Sequence, residues 1–193
     1  MTVVTGIAAS LFMVPLGIQE ATCGIIGNCI GSNNVPLAKR FFSMITKFTI
    51  IVVLVLCLTT YLTRSYLVAF YTDDEEVKAI CTQVFIVVSI MFLFDGMTSY
   101  LQGPIRAMGL QQNASYWAIG CYYFIGIPTS CILAIWKDYG VLGLQLGITA
   151  AVSVQCCAYS YILKTNNWQD IADKAVARIK QEEVELADKA ALY

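Results

Sequence analysis

Apolar residues dominate the chain in long blocks, and short polar stretches separate them. Five blocks are about 20 residues or longer, enough to cross a hydrocarbon core of about 30 Å at 1.5 Å per residue. The pattern predicts spans over about 3–30, 41–71, 77–108, 113–136 and 139–163, followed by a polar tail over 164–193. The predicted fold class is therefore all-α integral membrane, with five transmembrane helices and an amphipathic C-terminal helix. In the tail, Trp168, Ile171, Ala172, Ala175, Val176 and Ile179 recur at helical spacing, with Asp173, Lys174, Arg178 and Lys180 opposite. This pattern fits a helix lying on the membrane surface or one binding a partner. The stretch from Gln181 onward is acidic and is expected to be mobile.

Polar side chains inside these blocks mark candidate chemistry. Asp95 is the one charge between Cys81 and Ile105. Asp95, Thr98, Ser99, Gln102 and Arg106 follow i, i+3, i+4, i+7 and i+11, one face of a helix. In lipid such a stripe belongs against a bundle interior or an aqueous cavity, and it predicts a polar path towards Arg106. Asp95 suits the binding and release of a proton or cation as conformation changes. A structural hydrogen bond to a neighbouring helix is the bland alternative. Glu20 is a second intramembrane carboxylate, a coupling candidate or a structurally paired charge. Arg106 reads better as a topology anchor than as a ligand.

Small residues mark the helix contacts. Gly17, Gly27 and Gly31 lie at helical steps on the first span, and Gly140, Gly143, Gly147 and Ala151 on the fifth. Such residues let backbones approach closely in lipid. Gln155 is deep in the fifth span and is read as part of the same packing. Pro128 lies inside the fourth span, where its missing N–H predicts a kink. Tyr122 and Tyr123 on the same span, with Thr98 and Gln102, are candidates for lining a substrate cavity.

The links set an orientation. The first (32–40) holds Lys39 and Arg40, the second (72–78) is acidic, the third (103–112) holds Arg106, and the tail is rich in lysine and arginine. The positive-inside rule places links one and three and the C-terminus in the cytoplasm. Arg64, near the outer end of span two, can snorkel.

Composition agrees with lipid as the solvent. The chain is 58% hydrophobic and 13% charged, against about 25% charged in soluble domains, and its mean hydropathy is +0.68. A net charge of −1 argues against a nucleic-acid partner. There is no histidine, which excludes His-based triads and His metal ligands. The eight cysteines show no CxxC pair and read as buried thiols. No signal-peptide pattern is expected at Met1. No phosphate loop, metal cluster or nucleophile–base pair is present, so the chain does not read as an enzyme and no cofactor is expected.

Four stretches together resemble a known family. They are MVPLGIQEATCGIIGNCIGSNNVPLAKR, LFDGMTSYLQGPIRAMGLQ, YYFIGIPTSCIL, and YGVLGLQLGITAAVSVQ with NNWQDIADKAVARI. In order and spacing they are similar to the eukaryotic multidrug and toxic compound extrusion (MATE) transporters. The resemblance implies helices eight to twelve of a twelve-helix antiporter, a partial C-terminal lobe. It implies export of organic, often cationic, compounds or xenobiotics in exchange for H+ or Na+, by alternating access. Asp95 falls on the family's acidic position in the tenth helix, whereas Glu20 matches no general family carboxylate. The implied partners are the lipid bilayer, small organic solutes, and an N-terminal lobe or another chain to complete the cavity. The implied location is multi-pass in a plasma or vacuolar-type membrane. The alternative reading is a truncated fragment or membrane subunit without transport of its own.

Overall fold

The computed structural model describes residues 2–69 and 75–191. They form α1 (Thr2–Gly31), α2 (Val35–Ala69), α3 (Glu75–Ala107), α4 (Gln111–Trp136), α5 (Gly140–Thr165) and α6 (Trp168–Ala191). No strand occurs among the described residues. The centre of the bundle is α3, which packs against α1, α2 and α5 and touches α4. Segments of α2, α3, α4 and α5 are long and apolar enough to cross a membrane. The 30 residues of α1 also have the length, about 45 Å at 1.5 Å per residue. The expected link at 72–78 and the end of span two lie partly outside the described residues.

Two links are shorter than the hydrophobic pattern predicts. The first is a turn over 32–34, not 32–40, because Asn34 caps α2: its Oδ1 accepts the Leu37 N–H at 3.2 Å. Pro36 then sits in the first turn, where its missing N–H is harmless. Asn33 takes the left-handed conformation in that turn, with φ 55°. The third link is 108–110, because α3 continues through the buried Pro104 to Ala107.

The α4–α5 contact is a seam of small residues. A Cβ on Gly143 would lie 2.6 Å from the Ala134 nitrogen, and one on Gly147 would lie 2.5 Å from the Ser130 nitrogen. One on Gly126 would meet the Ala151 Cβ at 3.1 Å. The Ser130 hydroxyl donates across the seam to the Leu144 carbonyl at 3.2 Å. Gly140 has a different role: with φ +52° it turns the chain into α5. Around Pro128 the helix changes its ladder. Residues Cys121–Gly126 and Ile132–Trp136 are π-helical and flank the short α segment Ile127–Cys131. Pro128 removes a donor from this run, and the wider register accommodates the loss.

The hydrophobic core gathers at the basic end of the bundle, where α1, α3 and α5 end and α2, α4 and α6 begin. Tyr100 is fully buried there. Its hydroxyl is 2.7 Å from Thr46 Oγ1 and donates to the Phe42 carbonyl at 3.2 Å. Its ring stacks on Phe42, with centroids 6.1 Å apart. On a second side, Phe42 meets Trp168 edge-on at 5.5 Å. The Trp168 indole donates to the Leu163 carbonyl at 2.9 Å, and Ala172 is fully buried. The face of α6 expected on the membrane surface is thus covered over its first turns by the chain's own helices. Gln169 adds a hydrogen bond to Asn33 at 2.9 Å, tying α6 to the first turn. The helix runs on past Gln181 to Ala191.

Removing the Tyr100 hydroxyl tests this junction. Tyr100→Phe should cost about 1 kcal/mol, and a cycle with Thr46→Val should give a coupling of about 0.6 kcal/mol. Thermal unfolding in detergent measures both.

Candidate coupling site

Asp95 lies on α3, about 18 Å from the end of that helix at 1.5 Å per residue, and is half-buried. No hydrogen bond or ion pair holds its carboxylate among the described residues. Tyr122, from the π-helical part of α4, lies within electrostatic range of it. Tyr123 is 64% exposed and points away from the bundle. Tyr122, 40% exposed, is the more enclosed of the two tyrosines.

The polar stripe on α3 divides between two neighbours. Thr98 and Ser99 are buried. The Thr98 hydroxyl donates back to the Phe94 carbonyl at 2.8 Å and lies beside Cys156 of α5. Thr98 thus takes part in the α3–α5 contact. Gln102, half-buried, keeps its position on the stripe.

Arg106 ends the stripe on α1. Its Nη1 bonds Glu20 Oε1 at 2.7 Å. With the Gln19 amide oriented by its hydrogen-bond partners, the Gln19 oxygen accepts from Arg106 Nη2 at 3.0 Å and the nitrogen donates to the Ser99 carbonyl at 3.1 Å. Glu20 is thus paired, the structural alternative among the sequence readings. The pair is 48% and 63% exposed at its two side chains, so solvent screening limits its worth. Glu20→Gln should shift stability by less than about 1 kcal/mol, measurable by the same unfolding assay. Among the described residues, Asp95 has no ion-pair partner.

The α1 glycines differ in what they face. Among the described residues, nothing lies within 4 Å of a Cβ built on Gly17. Gly27 and Gly31 make only ordinary contacts, with Ala107 at 4.0 Å and Ile179 at 3.9 Å. The close approaches to α3 use other glycines. A Cβ on Gly103 would sit 2.5 Å from the Gln19 carbonyl oxygen, and one on Gly96 would sit 2.8 Å from Val53. Sequence reading missed both, and also missed Gln19 and Tyr100. The available signal was a glycine or a strong hydrogen-bonding group inside an apolar helix. No group of three metal-ligating side chains occurs among the described residues.

The profile of the MatE family matches residues 1–132. The chain belongs to the MatE family. It is 27% identical over 170 residues to "Protein DETOXIFICATION 33" of Arabidopsis thaliana, covering 88% of this chain and 35% of that protein. It is 29% identical over 171 residues to "Multidrug and toxin extrusion protein 1" of Oryctolagus cuniculus, covering 88% and 30%. The solved eukaryotic MATE transporter AtDTX14 superposes with a TM-score of 0.83 at 25% identity, over 89% of this chain and 38% of that one. The chain thus spans about a third of the length of the curated relatives it matches. These matches agree with a partial C-terminal lobe of the MATE fold and with a multi-pass membrane protein.

Proposed function

We propose that this chain forms one lobe of an antiporter that exports organic, often cationic, compounds across a membrane in exchange for protons or sodium ions. Asp95 is the coupling group. The observation that carries this reading is a half-buried carboxylate within the span that has no ion-pair partner among the described residues. In lipid such a charge must be neutralised by a bound proton or cation. A conformational change that alters its surroundings then couples ion binding to access from one side or the other. Tyr122 and Gln102 fit the wall of a solute cavity near Asp95, and Tyr123 fits a face completed by another lobe. The membrane is of plasma or vacuolar type, with the basic end and α6 in the cytoplasm. The names of the relatives, detoxification and multidrug and toxin extrusion proteins, support a xenobiotic cargo.

The share of its relatives' length that the chain spans also favours a second reading, a membrane subunit without transport of its own. Efflux of a fluorescent organic cation from pump-deficient cells separates the two. Transport predicts efflux above empty-vector cells that falls when the pH and sodium gradients are dissipated. Efflux equal to empty-vector cells, with the protein shown to be inserted, would favour the subunit reading.

A further inference from the structure

At the basic end of the bundle, a cleft of about 710 Å³ opens between the α3–α4 turn and α6. Its lining combines three basic side chains, Arg106, Lys174 and Arg178, with apolar groups that include Ile30, Met108 and Ile179. One acid, Glu182, also lines it and bonds Arg178 Nε at 3.0 Å, which leaves the terminal nitrogens of that arginine available. Lys174 makes no hydrogen bond or ion pair among the described residues. Arg106 is held by Glu20 and Gln19, so Lys174 and Arg178 supply the positive charge that the cleft offers, over an apolar floor.

The backbone adds donors to the same cleft. Gln111 lines it and begins α4, and Leu110 before it supplies no side-chain cap, its own N–H donating to the Ile105 carbonyl at 3.0 Å. The first N–H groups of a helix have no intrahelical partners and favour negative charge. Their position beside Lys174 and Arg178 makes the cleft complementary to an anion with an apolar body. It lies where the spanning helices end, at the depth of lipid headgroups. We infer that this cleft binds an anionic phospholipid of the adjacent leaflet, its phosphate on Lys174 and Arg178 and its chains along the isoleucines. The occupied cleft would join α6 to the α3–α4 turn, independently of whether the chain transports.

The test is lipid retention by the full chain, extracted from vesicles of equal phosphatidylglycerol and phosphatidylcholine and read by native mass spectrometry. Selective retention of phosphatidylglycerol is expected. Lys174→Gln should reduce it about fivefold, the loss for one basic side chain near an anionic surface. Lys180→Gln, which removes an equal charge from the same helix outside the cleft, should leave it within twofold. Equal losses in the two variants would overturn the site in favour of diffuse attraction. Retention without preference for the anionic lipid would overturn it as well. Displacement of the lipid by millimolar inorganic phosphate would overturn the lipid as occupant and assign the cleft to a free anion.

Discussion

Asp95→Asn is expected to lower gradient-driven solute export at least tenfold while leaving the amount of folded protein unchanged. The two side chains have nearly the same shape, so α3 keeps its packing. Asp95 makes no hydrogen bond among the described residues that the change would break. What disappears is the charge, and with it the reason for a proton or cation to bind within the membrane. A tenfold loss corresponds to about 1.4 kcal/mol of lost coupling in the transport cycle, and a complete loss of the ion site exceeds that. Asp95→Glu, which keeps the carboxylate on a longer stem, should retain measurable export. Initial efflux rates, normalised to protein measured by size-exclusion chromatography, give the comparison.

Gly103→Val is expected to unfold the α1–α3 contact, at a cost of about 3 kcal/mol. A Cβ at this position would lie 2.5 Å from the Gln19 carbonyl oxygen and 3.4 Å from the Cys23 nitrogen. Both are backbone atoms of α1, so no rotamer change relieves the clash. The helices must separate, and the Gln19 bonds to Ser99 and Arg106 go with them. Gly17→Ala is the contrasting case. It meets nothing within 4 Å among the described residues and gains helix propensity, about 1 kcal/mol. Tryptophan-monitored melting in detergent should therefore show a large drop for Gly103→Val and no drop for Gly17→Ala. A drop at Gly17 of similar size would show that another surface packs there.

The helical class was legible because blocks of apolar residues long enough to span lipid leave few alternatives. The small-residue seam on α5 was legible for a related reason: Gly143, Gly147 and Ala151 repeat at helical steps, and close backbone approach needs such a repeat. The same reasoning does not rank the α1 glycines, of which Gly27 and Gly31 meet other helices and Gly17 meets nothing within 4 Å among the described residues. Periodicity states which residues share a face and not which face has a neighbour. Hydropathy also misread 35–40 as a link, because Lys39 and Arg40 are polar, although Asn34 and Pro36 form a helix-start signal. Pairings distant in sequence were beyond reach. Glu20 and Arg106 are 86 positions apart, and each alone is compatible with several partners. Asp95 stood out because a carboxylate is costly in an apolar helix, whereas the π-helical register of Cys121–Gly126 is not revealed by residue spacing.

The most direct test of the central claim is ion movement driven by the solute itself. The chain is reconstituted in vesicles with no imposed ion gradient, an organic cation is added outside, and internal pH and sodium are recorded. The account predicts that protons or sodium ions leave as the solute enters, and that Asp95→Asn abolishes this exchange. Solute entry with neither ion moving, or undiminished exchange in Asp95→Asn, would contradict it.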